Sequence, residues 1–249
     1  MIKQYVTDAS TIPPQSIPRP YVFPGWPNGV VIQSQTLLVG GEGGPWGTCT
    51  SFPENTGSQA HFHTSSQFQF LLSGSMDFPD HHIEAPGVHY TDHCVPYGPF
   101  TVSQDHAMAI LRPRRNRQIF ATDPQIRKLV NREGRTFVRN ASEVDWEPDP
   151  MNEGVRRKVL VPNIAEIVEC PANADFKSGP DPWGQYQVVY EGSVVIGGKE
   201  LGRRSLRFVR GDEPPSPLHC GSEGATLILL TFDEDSEWLD PEPGPTGFG

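Results

Sequence analysis

The chain has 249 residues, a length that suits one large domain or two of about 100–150 residues each. Its formal net charge of −10 argues against a nucleic-acid partner, because phosphate binding needs clustered Lys and Arg. Its 26 prolines and 25 glycines, with aromatics spread along the chain, exclude low-complexity disorder and indicate many short strands joined by turns.

In chain order, residues 1–30 are Pro-rich and irregular, an arm expected to pack over a barrel, with Val30-Val31-Ile32 opening the first strand. From about 58 to 113 short alternating strands dominate. Gln67-Phe68-Gln69-Phe70-Leu71-Leu72 alternates and stops at the Ser73-Gly74 turn signal. Ala107–Leu111 is a short apolar strand. Residues 114–156 are charged, and Asp123-Pro124 followed by Gln125–Arg132 predicts a short inter-domain helix, with Pro124 at its first position and Gly134 past its end. The basic cluster Arg112, Arg114, Arg115 and Arg117 reads as a solvated linker face. Strands resume at Lys158–Val161 and Glu166–Cys170, and 240–249 is a Pro/Gly-rich tail. No apolar run approaches the roughly 18–20 residues of a membrane span, and Met1 opens no signal-like stretch. Cys49, Cys94, Cys170 and Cys220 form no CxxC pair and read as reduced thiols, so a cytoplasmic protein is expected.

An internal repeat organises the chain. Gln67–Ser75 matches Gln185–Ser193 at an offset of 118, and the same gapless offset superposes Pro96 on Pro214, Ala107 on Ala225, and Ile110-Leu111 on Ile228-Leu229. A duplicated β-domain is expected, divided as 1–113 (arm plus first barrel), 114–156 (linker with the helix), 157–239 (second barrel) and 240–249 (tail).

Seven of the eight histidines lie between residues 61 and 106. On a strand, side chains two apart share a face, so His61 and His63 can reach one metal ion. If this parity carries through Thr64–Ser66, Gln67 and Gln69 join them, while Phe62, Phe68, Phe70 and Leu72 take the opposite face. His81-His82 reads as a surface hairpin tip, His93 and His106 as surface or rim, and Cys94 as a small buried thiol.

His61-x-His63-(x)3-Gln67-(x)6-Gly74 resembles the first cupin motif, H-x-H-(x)3-4-E-(x)6-G, with Gln in place of Glu. Pro86–Tyr97 is similar at its two ends to the second motif, with Tyr97 in place of the last His ligand and His89 on a cavity-facing strand position. The resemblance implies an all-β protein of two cupin jelly-roll (double-stranded β-helix) barrels, a bicupin. It implies one divalent transition metal in the first barrel, held by His61, His63 and Gln67. Iron leads, with Ni, Cu, Zn or Mn as alternatives, since loss of the carboxylate favours imidazole-loving ions. Tyr97 either coordinates the metal or hydrogen-bonds a metal-bound substrate, and His89 is the other candidate to complete the shell; both are candidate catalytic residues. At the same offset the second barrel has Gly179, Asp181 and Pro215, so it is expected to be metal-free and to serve packing or dimer formation. The expected function is an oxygen-using oxidoreductase of dioxygenase type acting on a small-molecule substrate, in a homodimer, with no nucleic-acid or membrane partner. The alternatives are a lyase or isomerase using the metal as Lewis acid, with Tyr97 as base, and a non-catalytic ligand-binding or scaffold bicupin.

Overall fold

The structure is a computed structural model that describes residues 3–18, 30–41, 44–114, 118–120 and 134–236. Among these the regular elements are strands, apart from short 3-10 turns such as Ala9–Thr11 and Ala141–Glu143. The first half contains β1 (Lys3–Thr7), β2 (Gln15–Pro18), β3 (Val31–Val39), β4 (Trp46–Ser51), β5 (Gly57–Ser58), β6 (His61–His63) and β7 (Gln67–Ser73). It continues with β8 (Ser75–Asp77), β9 (His82–Glu84), β10 (Gly87–Thr91), β11 (Phe100–Val102), β12 (Ala107–Arg112), β13 (Gln118–Phe120) and β14 (Thr136–Asn140). The second half contains β15 (Glu147–Pro148), β16 (Arg156–Val161), β17 (Ala165–Cys170), β18 (Asp175–Phe176), β19 (Asp181–Ile196), β20 (Lys199–Leu201), β21 (Leu206–Gly211) and β22 (Leu218–Thr231). The helix expected at Gln125–Arg132 lies outside the described residues.

The two halves repeat one antiparallel sheet. Its order is β14-β10-β7-β12-β4-β3-β2 in the first half and β1-β21-β19-β22-β17-β16-β15 in the second. The central strands correspond one for one, but the outer strand is exchanged. The N-terminal β1 pairs with β21 of the second barrel, and β14, which follows the first barrel, pairs with β10 of the first. The N-terminal arm, expected to pack over a barrel, thus contributes a strand to the second.

Alternation explains how the two barrels meet. Phe68, Phe70 and Leu72 lie on one face of β7 and enter a core shared with Tyr186, Val188 and Phe208 of the second sheet. Gln67, Gln69 and Leu71 face the opposite way, into the first barrel, where the small sheet β5-β11-β8-β9 closes the lumen. Each large sheet therefore has both faces enclosed, so its strands are apolar on one face and carry buried polar groups on the other.

The gapless repeat needs one correction. β10 and β21 do superpose at 118, since Tyr90 pairs with Phe68 as Phe208 pairs with Tyr186. On the other side, Leu111 pairs with Phe68 whereas Leu230 pairs with Tyr186, so β12 and β22 superpose at 119. One extra residue in the second barrel's connection shifts the frame, and a one-residue slip exchanges the two faces of a strand.

Candidate functional site

The site is built from five strands or strand ends around the first lumen. β6 is short, but its three residues are buried and Tyr97 pairs with His61 as an isolated antiparallel bridge. The His61 and His63 rings lie 5.0 Å apart, and the His61 ring lies 4.4 Å from that of Tyr97. Gln67 reaches the same space, donating from Nε2 to the Tyr97 hydroxyl at 2.5 Å. His89 on β10 sits opposite Gln69, and Gln69 Oε1 accepts from His89 Nδ1 at 2.8 Å. The structure thus brings His61, His63, Gln67, Tyr97 and His89 to one lumen.

Burial controls their charge. Desolvation pulls the His61 pKa down to about 4 and that of His89 to about 3, so both imidazoles are neutral at pH 7. His61 Nδ1 lies 2.6 Å from the Gln59 carbonyl, which places the proton on Nδ1 and the lone pair on Nε2. Desolvation also pushes the Tyr97 phenol well above its usual range, so its hydroxyl is protonated.

Arg112 was missed from sequence, and its reading as a solvated linker residue is wrong. It is the last residue of β12, 7% exposed, and shares the lumen-facing parity of Met108 and Ile110. Its Nε and Nη2 both donate to Gln67 Oε1, at 3.0 and 2.8 Å, and Nη2 lies 3.2 Å from His63 Nε2. The guanidinium also lies 4.7 Å from the Trp46 ring centroid. Gln67 is thereby engaged at both ends, joining Tyr97 to Arg112. The signal that could have found Arg112 is the period-two alternation of β12; the neighbouring arginines masked it. Arg115 and Arg117 lie outside the described residues.

Other histidines also differ from expectation. His93 and His106 are both 2% exposed, not on the surface or rim. His93 is held by Ser66, whose Oγ accepts its backbone N–H, and His106 packs beneath Gly74 and beside Phe52. His82 is exposed as expected, whereas His81 stacks on Phe78 at 4.2 Å and is only half-exposed. Cys94 is half-buried at positive φ; Cys49, Cys170 and Cys220 are buried, and none of the four is in a disulfide.

The donor chemistry was tested against the metal that the motif implies. Two buried imidazoles on one face suit a transition ion, and the Gln59 carbonyl on His61 Nδ1 fixes the tautomer in which Nε2 can coordinate. Among the described residues no group of three or more His, Cys, Asp or Glu converges to hold an ion. Tyr97 and Gln67 are, among the described residues, the oxygen or nitrogen donors beside the pair that could add to it. The second barrel lacks even the imidazole pair: a cleft of about 300 Å³ at its mouth is lined by Asp181, Gln185, Glu166 and Arg157, and burial pushes the Asp181 carboxyl up to about 6.

No protein-family model and no curated protein matches the sequence. Solved structures do match the fold. A candidate dioxygenase from Nostoc punctiforme aligns with a TM-score of 0.65 at 12% identity, over 98% of this chain and 88% of that one. A bacterial pirin from Escherichia coli in complex with nickel(II) aligns at 0.53 and 12% identity, over 93% and 99%. The coconut allergen cocosin aligns at 0.58 and 12% identity, over 93% and 86%. The chain has the bicupin fold. Identities this low establish architecture and leave chemistry to the site, because one fold hosts many functions. No helix of this bicupin, among the described residues, is long and apolar enough to cross a membrane.

Proposed function

We propose that the first barrel is a metal-dependent cupin active site for a small organic molecule, and that the reaction is an oxygen-using oxidation of dioxygenase type. The observation that carries this reading is the pair His61 and His63, buried and turned into one enclosed lumen, where the second barrel places Gly179 and Asp181. His61 and His63 would hold the ion, with Tyr97 or Gln67 as a weak further donor. Iron there would supply Lewis acidity and a one-electron redox centre.

The remaining roles belong to the chain itself. Tyr97, protonated and accepting from Gln67, can donate its own hydroxyl proton in a hydrogen bond to a substrate oxygen. That protonation weighs against Tyr97 as the base of a lyase or isomerase. His89 has both ring nitrogens in hydrogen bonds, to Gln69 and, at 3.3 Å, to Thr136 Oγ1, which suits lumen organisation better than metal ligation. Phe100 and Met76 close the lumen with apolar surface.

A metal-free ligand-binding barrel is the second reading, favoured by the absence of a carboxylate ligand. Elemental analysis of untagged protein separates the two. One equivalent of a transition metal, lost in His61→Ala/His63→Ala, supports the enzyme; sub-stoichiometric metal for every divalent ion overturns it. Oxygen consumption during turnover then distinguishes oxygenase from Lewis-acid chemistry.

A further inference from the structure

Arg112 is, among the described residues, a buried cation without a counter-ion. Among the described residues its partners are an amide oxygen, an imidazole and an indole ring, and no Asp or Glu pairs with it. An arginine guanidinium stays charged at pH 7 even when buried. Burying such a charge unpaired is costly, and proteins ordinarily neutralise it with a carboxylate or a bound anion.

The duplicated sheet shows that the fold does not require this charge. Continuing the β7–β12 register by one residue sets Arg112 opposite Gln67. In the second barrel the same rung pairs Gln185 with Thr231, and Gln185 Nε2 donates to Thr231 Oγ1 at 2.9 Å. A small neutral side chain closes that barrel. At this rung a guanidinium occurs only in the barrel that also has the two histidines, and its backbone is anchored from behind. The Tyr186 hydroxyl of the second barrel lies 2.8 Å from the Arg112 carbonyl and 2.9 Å from that of Trp46.

We infer that the ligand of the first barrel is a small organic carboxylate whose charged group pairs with the Arg112 guanidinium while the rest of the molecule faces His61, His63 and Tyr97. This rests on the reading of that lumen as the working site and adds the substrate class. A planar guanidinium matches a carboxylate in a two-point hydrogen bond. A single positive charge balances one carboxylate and falls short of a phosphate dianion. The anion also has an electrostatic function, since a metal ion beside Arg112 would otherwise meet an uncompensated like charge.

The test uses metal-free protein prepared with a chelator, so that it is separate from the metal question. Benzoate and acetate are titrated against benzamide and acetamide, with binding followed by calorimetry and by histidine ring NMR signals. A carboxylate preference of at least tenfold is expected, falling at least tenfold in Arg112→Gln and partly retained in Arg112→Lys. Equal affinity for acid and amide in the wild-type protein, absence of binding by either carboxylate, or unchanged selectivity in Arg112→Gln overturns the assignment. The wild-type comparison stands even if a variant fails to fold. Carboxylate selectivity in a protein that never takes up metal would uphold this inference and sink the metal reading; stoichiometric metal without carboxylate selectivity would do the reverse.

Discussion

Tyr97 and His61 exchange both backbone hydrogen bonds, Tyr97 N–H to the His61 carbonyl at 2.9 Å and His61 N–H to the Tyr97 carbonyl at 3.0 Å. Backbone pairing holds these two residues side by side, so their functional atoms can be altered without dismantling the site. In Tyr97→Phe the amide of Gln67 loses a buried acceptor, which should cost about 1–2 kcal/mol in urea unfolding. Metal content should be unchanged and turnover lost. Loss of metal together with the hydroxyl would instead make Tyr97 a ligand.

Acid sensitivity should originate in the buried imidazoles. Burial holds the pKa values of His61, His89 and His106 at about 4, 3 and 4, below the roughly 6.5 of an unfolded histidine. Between those limits the unfolded chain binds protons that the folded chain refuses. Their contribution is therefore complete above pH 6.5 and is lost as pH falls toward 4. Asp181, raised to about 6, acts in the opposite sense, so single variants are the clean test. Neither ring nitrogen of His106 has a partner among the described residues. His106→Leu should gain about 1 kcal/mol at pH 7 and flatten the stability profile between pH 6.5 and 4. An unchanged slope would show that His106 is solvated.

A clamp joins the barrels at Arg135. It donates to Asp92 of the first barrel and to Asp233 beyond β22, and Asp92 also accepts from the Tyr90 hydroxyl. Asp92 is buried while Arg135 and Asp233 are about a third exposed, so the full value of a buried pair does not apply. Arg135→Met should cost about 2 kcal/mol, largely by stranding Asp92. Adding Asp92→Asn should recover part of that loss, a coupling that a double-mutant cycle measures. Strict additivity would refute the clamp.

The turn glycines of the two halves test the duplication. Gly74 has φ of 70° and Gly192 of 69°, in the left-handed region that favours glycine. An added Cβ would lie 2.9 Å from His106 Cα at Gly74 but 2.1 Å from the Gly224 carbonyl oxygen at Gly192. Gly74→Ala should cost about 1–2 kcal/mol from conformation, and Gly192→Ala distinctly more because the backbone itself must move. Equal losses by thermal unfolding would contradict this ordering.

Sequence revealed those features that have a short period. Alternation along Gln67–Leu72 separates lumen from inter-barrel core, and the glycines after each strand mark the repeat because their backbone angles admit little else. Arg112 was obscured because three further arginines follow within five residues, and a charged run reads as solvent-facing unless strand parity is continued to its last residue. The slip between β12 and β22 is invisible to a gapless comparison, since apolar residues fill either frame. The pairings of β1 and β14 join segments far apart in the chain, and such pairings leave no local pattern to read.

That exchange of outer strands makes the halves interdependent. A polypeptide cut between the barrels would leave the amino-terminal piece holding an edge that belongs to its neighbour while missing its own, and the carboxy-terminal piece in the mirror predicament. Neither fragment should persist alone as a closed barrel, yet the two co-expressed should reassemble, each supplying the ribbon its counterpart lacks.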